Sequence, residues 1–123
     1  MTAHERPILI VDDDESIRTL LDMVFESYGY KTCTAFSGED AMRILDEGLQ
    51  PCMAFVDLLM PGMGGEAFLS TLKRADRLTF PTVVLSGRSD ACEHVQTCHL
   101  ADRCLLKPVE LDELLRAAEE LVH

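Results

Sequence analysis

Residues 8–30 read ILIVDDDESIRTLLDMVFESYGY, and this stretch decides the fold. Four apolar residues, Ile8 to Val11, run without a spacer into Asp12, Asp13 and Asp14. Then the period changes. Ile17, Leu20, Leu21, Val24, Phe25 and Tyr28 fall at i, i+3, i+4, i+7, i+8 and i+11, the stripe of an amphipathic helix. A strand apolar on both faces that feeds such a helix is the first half of a parallel α/β unit, because a half-exposed strand would alternate instead.

The same pattern repeats along the rest of the chain. Short apolar runs at Cys52 to Val56, Thr82 to Leu85 and Cys104 to Leu106 are separated by segments of helical period. Ser37 is placed to cap a helix carrying Ala41, Ile44 and Leu45, which Gly48 ends. A helix over about Gly65 to Arg74 turns Phe68, Leu69 and Leu72 inward, and a weakly patterned one covers about Asp90 to Leu100. The last helix carries Leu111, Leu114, Leu115, Ala118, Leu121 and Val122. Tyr30 to Ala35 alternates and is rich in Thr and Tyr, which predicts a strand at a sheet edge. The whole reads as (βα) five times, and right-handed crossovers leave the doubly wound five-stranded parallel sheet of order 2-1-3-4-5 as the expected topology.

Composition narrows the function classes. With 123 residues the chain has room for one core, so a single domain over 1–123 is expected. The formal net charge of −11 argues against nucleic acid as a partner of this domain, since phosphate backbones require Lys and Arg. No apolar stretch approaches a membrane span, and only seven residues precede the first apolar run, which is too short for a signal peptide. The expected location is cytoplasmic, with no membrane contact. Cys33, Cys52, Cys92, Cys98 and Cys104 are odd in number and lack CxxC spacing, so all five are expected as reduced thiols.

The chemistry lies at the strand ends. In a parallel sheet every C-terminal strand end lies on one edge. The first strand delivers Asp12 and Asp13 there, the third Asp57, the fourth Ser86 and the fifth Lys107. At roughly 4.8 Å per strand, Asp12/Asp13 and Ser86 flank Asp57, while Lys107 starts about 10 Å away and needs its full length to reach it. Three carboxylates beside one lysine invite a hard divalent cation with oxygen ligands, for which Mg²⁺ is suited. A carboxylate nucleophile, a metal, an ammonium and a hydroxyl together fit phosphoryl transfer to Asp57.

The motifs ILIVDDDESIRTLL (8–21), VDLLMPGMGG (56–65), VVLSG (83–87) and LLKP (105–108), in this order over nearly the whole chain, resemble the receiver domains of two-component response regulators. The resemblance implies a flavodoxin-like (βα)5 fold. Asp57 would be the phosphoacceptor, supplied by a phosphohistidine of a sensor histidine kinase or histidine phosphotransfer protein. Asp13 would bind Mg²⁺ directly, Asp12 through water, with Asp57 and the backbone carbonyl of Leu59 completing the protein ligands. Ser86 and Lys107 would bind phosphoryl oxygens, and Lys107–Pro108 would be cis. The implied activity is self-catalysed acceptance and loss of a phosphoryl group, without a separate enzymatic substrate. A phosphorylation-dependent homodimer through the fourth helix, fifth strand and fifth helix is the implied assembly.

Three positions depart from the pattern. Ser86 replaces the commoner Thr, Cys104 stands where an aromatic switch residue is usual, and Val109 replaces a frequent Phe. A degenerate receiver serving as a phosphorylation-independent binding or dimerisation module is the rival reading. A haloacid-dehalogenase-type phosphatase is set aside because Leu59 occupies its second aspartate position. Asp14 is expected to cap the first helix. Cys92, His94, Cys98 and His99 have zinc-ligand chemistry, but on a helix they point to different sides and are expected at ordinary positions. Leu59 and Arg88, two residues beyond Asp57 and Ser86, are placed to flank the phosphoryl group and hinder water.

Overall fold

The computed structural model describes residues 6–121. Its elements are β1 (Ile8–Val11), α1 (Glu15–Ser27), β2 (Thr32–Ala35), α2 (Gly38–Asp46), β3 (Met53–Asp57), α3 (Gly65–Arg74), β4 (Thr82–Ser86), α4 (Ser89–Thr97), β5 (Arg103–Leu106) and α5 (Leu111–Leu121). All neighbouring strands are parallel and the sheet order is β2-β1-β3-β4-β5, as the alternation predicts. Val122, placed in the last apolar stripe, lies outside the described residues.

Strand period explains the two-sided core. Ile8 and Ile10 of β1 join Phe25, Phe55, Val83, Leu85, Leu114 and Ala117 on the face covered by α1 and α5. Leu9 and Val11 join Val56, Phe68, Leu69, Leu72, Val84 and Val95 on the face covered by α2, α3 and α4. Both β1 and β3 are buried along their full length, which is why their sequences are apolar throughout rather than alternating. Phe55 stacks on Phe25 with ring centroids 4.9 Å apart, closing the first face under α1.

Local chemistry sets the helix ends. Asp14 caps α1 by accepting from the Ser16 N–H, and Ser37 caps α2 by accepting from that of Asp40. Gly48, at φ +109°, supplies the left-handed turn that ends α2. The last strand is only half-buried because it is a sheet edge.

Helix α4 is shorter than its expected span. It stops at Thr97, His99 takes a φ of +57°, and Leu100 is thereby turned into the core. Lys73 of α3 donates to the freed carbonyls of Cys98 (2.7 Å) and His99 (3.3 Å), which satisfies the helix end from a neighbouring element.

The expectation of five reduced cysteines is corrected. Cys92 of α4 and Cys104 of β5 form a disulfide, with Cα atoms 5.5 Å apart; Cys33, Cys52 and Cys98 are free. No CxxC spacing announces this bond. It arises because α4 packs across β5 and presents its first turn to the middle of the strand.

Candidate functional site

The strand register builds the site stepwise. Val11 lies opposite Val56, so Asp12 and Asp57 emerge side by side from β1 and β3. Asp57 lies opposite Leu85, which puts Ser86 one residue further along β4, and Ser86 in turn lies opposite Leu106, the residue before Lys107. Asp12, Asp57 and Ser86 are all buried, at 1%, 4% and 1% exposure, so they are held by the sheet and not by loop chance. Asp13 is exposed at the rim.

Lys107 makes the long reach its position requires. Its Nζ lies 3.3 Å from Asp57 Oδ1 and 3.7 Å from Asp12 Oδ2. The Lys107–Pro108 peptide is cis, as expected. Asp57 Oδ1 also accepts from the Leu59 N–H at 3.3 Å. Asp12 is anchored differently: its Oδ1 accepts from the Asp14 N–H, and its carbonyl accepts from Arg18 Nη1 at 2.7 Å. Arg18 is a contributor that the sequence pattern does not announce. Its place one turn into α1 was visible, but its aim at a backbone oxygen was not.

Burial and the neighbouring Asp12 carboxylate push Asp57 up from 3.8 to about 6, with Lys107 and the Leu59 N–H pulling only part of the way back. The protein groups by themselves therefore carry more negative charge than their surroundings stabilise. Carboxylate oxygens of Asp12, Asp13 and Asp57 all lie within 4.8 Å of one another. Asp12 Oδ2 is buried and has no hydrogen-bond partner. An orphaned carboxylate oxygen among three converging acidic groups fits a hard, oxygen-seeking divalent cation such as Mg²⁺.

The other side of the site is occupied by its own backbone. Ser86 Oγ accepts from the Arg88 N–H at 3.0 Å and donates to the Arg88 carbonyl at 3.3 Å. On the opposite wall, a Cβ added at Gly65 would come within 2.4 Å of the Asp57 carbonyl oxygen, so the start of α3 packs directly under the strand end that carries Asp57.

Residues 8–119 match the response regulator receiver domain family. The chain belongs to that family. Receiver likeness extends to whole-chain geometry. The Thermotoga maritima response regulator TrrA, solved in complex with Mg²⁺–BeF, superposes with a TM-score of 0.83 at 27% identity, covering 94% of this chain and 98% of that one. A response regulator receiver protein from Pseudomonas putida gives 0.84 at 31% identity, with 94% and 97% covered. In sequence, the transcriptional regulatory protein AfsQ1 of Streptomyces coelicolor is 33% identical over 114 residues, which is 89% of this chain and 49% of that protein. The receiver thus spans about half the length of such a relative.

The receiver's second cluster of ligand-type residues does not converge. His94 Nε2 lies 2.6 Å from Glu66 Oε1 on α3, Cys98 Sγ sits 3.9 Å from the same nitrogen, and Cys92 is bonded to Cys104. His94 is thus a bridge between α3 and α4. Arg88, expected beside the phosphoryl position, has its guanidinium paired with Asp90 at 2.7 Å, while the Leu59 side chain is exposed.

Proposed function

We propose that Asp57 accepts a phosphoryl group from a phosphohistidine of a sensor histidine kinase or histidine phosphotransfer protein, with Mg²⁺ held by Asp12, Asp13, Asp57 and the backbone carbonyl of Leu59. The observation that carries this reading is the buried Asp57 carboxylate with the Lys107 ammonium 3.3 Å from it and the orphaned Asp12 oxygen beside it. An Asp57 oxygen forms the new bond to phosphorus as the P–N bond breaks and the imidazole leaves with its electron pair. When bound, Mg²⁺ neutralises charge on the phosphoryl oxygens and the carboxylates together. Lys107 binds a further phosphoryl oxygen. Ser86 turns its hydroxyl from Arg88 to the phosphoryl group, and the loop after β4 follows it.

The donor has an accessible approach. Exposed Leu20 and the residues Ile17, Pro108 and Val109 line an apolar hollow of about 550 Å³ that also reaches Lys107. Output is proposed on the α4–β5–α5 face, where Leu106 and Leu111 are about half exposed and would be covered in a phosphorylation-dependent homodimer. Among the described residues no helix is long and apolar enough to cross a membrane. The proposed setting is a single receiver domain over 1–123 acting in the cytoplasm, with no nucleic-acid contact of its own at a net charge of −11.

The test is intact mass after incubation with Mg²⁺ and acetyl phosphate. One phosphoryl group is expected on the parent, and none without Mg²⁺ or in Asp57→Asn. No uptake from acetyl phosphate or from a cognate kinase, with Mg²⁺ shown to bind, would leave a phosphorylation-independent binding module instead. A second expectation concerns lifetime. Leu59, and Arg88 once its guanidinium leaves Asp90, are placed to shield the acyl phosphate from water, so Leu59→Ala and Arg88→Ala should each lose phosphate several-fold faster when followed by radiolabel decay. Unchanged or slower loss in both variants removes the shield.

A further inference from the structure

We propose that Cys92–Cys104 is a reversible thiol–disulfide site whose oxidised form holds the receiver in its unphosphorylated arrangement. The inference rests on the acceptor reading above and adds a regulatory input to it. The bond joins the two parts of the molecule that must shift relative to each other for that reading to work.

The connection runs through named contacts. Ser86 Oγ is held from both sides by the Arg88 backbone. Arg88 is the N-cap of α4, and its carbonyl accepts from the Cys92 N–H at 3.3 Å, so Cys92 lies in the first turn that Arg88 starts. Cys92 is bonded to Cys104, which lies opposite Val84 in the β4–β5 register, three residues before Lys107. The disulfide thus closes a circuit from the Ser86 hydroxyl through the start of α4 to β5 and back to the site. For Ser86 to reach a phosphoryl group on Asp57 it must release Arg88, and the first turn of α4 must follow. A covalent tie at Cys92 opposes that movement.

The start of α4 is otherwise lightly held, since its ties to α3 lie further along, at His94 and at the Cys98 and His99 carbonyls. Only Cys92 and Val95 are buried among the helix's nine residues, and it has no side-chain N-cap bond. With the disulfide reduced, the helix start is retained by few contacts and is free to follow Ser86.

The redox chemistry balances by exchange with a low-molecular-weight disulfide of the glutathione type. Cys104 is the less buried of the two residues, half-buried against 7% exposure for Cys92, and is taken as the first to react. Its thiolate attacks the small disulfide, forming a mixed disulfide and releasing one thiol. Cys92, after losing its proton, attacks the Cys104 sulfur, forming the protein disulfide and releasing the second thiol. Two protein thiols are oxidised by two electrons and one disulfide is reduced to two thiols. In a reducing compartment a bond of this kind is kept as a switch rather than as a staple. Linkage then runs both ways: the factor by which the disulfide weakens the phosphorylated state is the factor by which phosphorylation favours its reduction.

The experiment uses the whole chain, oxidised with glutathione disulfide or reduced with glutathione, with the state verified by thiol count. Three free thiols are expected in the oxidised form, namely Cys33, Cys52 and Cys98, and five in the reduced form. Calorimetric binding of beryllofluoride in Mg²⁺, as a stable phosphoryl mimic, should be about tenfold tighter in the reduced form. Cys92→Ser and Cys104→Ser should bind like the reduced parent in either buffer, while Cys98→Ser keeps the redox response. Equal affinity in the two verified states, with normal phosphoryl uptake, would remove the gate and leave the acceptor intact. Failure of glutathione disulfide to form the bond, or of glutathione to reduce it, would equally overturn the gate. No beryllofluoride binding and no uptake in either state would take down the acceptor reading and the gate together.

Discussion

Replacing Asp57 by Asn is expected to stabilise the metal-free protein at pH 7.5 by about 1–2 kcal/mol, a rise of roughly 4–8 °C in melting temperature. The cause is the upward shift of Asp57 from 3.8 to about 6 through burial and Asp12. A carboxyl whose folded value lies above its unfolded value binds more protons when folded, so stability falls as pH rises through that window. Its penalty is absent below about pH 4, grows between about 4 and 6, and is complete above. A two-unit shift corresponds to about 3 kcal/mol at most. That ceiling already includes the opposing pull of Lys107 and the Leu59 N–H, and the expected gain is smaller because an amide is an imperfect stand-in for a protonated carboxyl. The advantage of the variant should vanish as pH is lowered towards 4. It should shrink or reverse in millimolar Mg²⁺, which stabilises only a protein that binds it. Thermal melts over pH and Mg²⁺ read both effects. A variant that melts below the parent in chelator at pH 7.5 would contradict this account of the site.

Lys107→Met should separate two roles that the same ammonium plays. Its Nζ is the cation close to the buried Asp57 and Asp12 carboxylates. Removing it leaves two buried like charges facing each other. Because Lys107 is itself a third exposed, the expected loss is about 1–3 kcal/mol rather than the full penalty of a broken buried pair. Phosphoryl uptake should fall roughly 30- to 100-fold, the worth of a charge-assisted bond to a phosphoryl oxygen. Mg²⁺ should nonetheless bind more tightly, since the carboxylates lose a competing cation. A double-mutant cycle with Asp57→Asn isolates the pair, and the stability cost of losing Lys107 should be smaller in the Asn background. Uptake at the parental rate in Lys107→Met would show that the ammonium does not bind the phosphoryl group.

Much of this was legible in one dimension because it depends on periodicity and on the common edge of a parallel sheet. The apolar runs and helical stripes determine the element order, and the residue following each strand is delivered to the site wherever the loops go. Asp12, Asp57, Ser86 and Lys107 meet for that reason, and Asp14 and Ser37 cap because capping is local. The end of α4 was harder to read. Its apolar pattern is weak, and the helix stops where Lys73 from α3 donates to the carbonyls of Cys98 and His99, a contact with no signal in the neighbouring residues.

By itself, then, the chain's residue order determined the parallel (βα)5 arrangement and the convergence of three aspartates, a hydroxyl and an ammonium at one edge. Only the tertiary structure decided how those groups are engaged: Ser86 held on Arg88, Asp12 left with an orphaned oxygen, His94 bridged to Glu66, and Cys92 bonded to Cys104. The physical reason is range. Periodicity and capping act within a few residues and leave a trace in sequence, whereas desolvation and side-chain pairing depend on which surfaces the packed helices bring together.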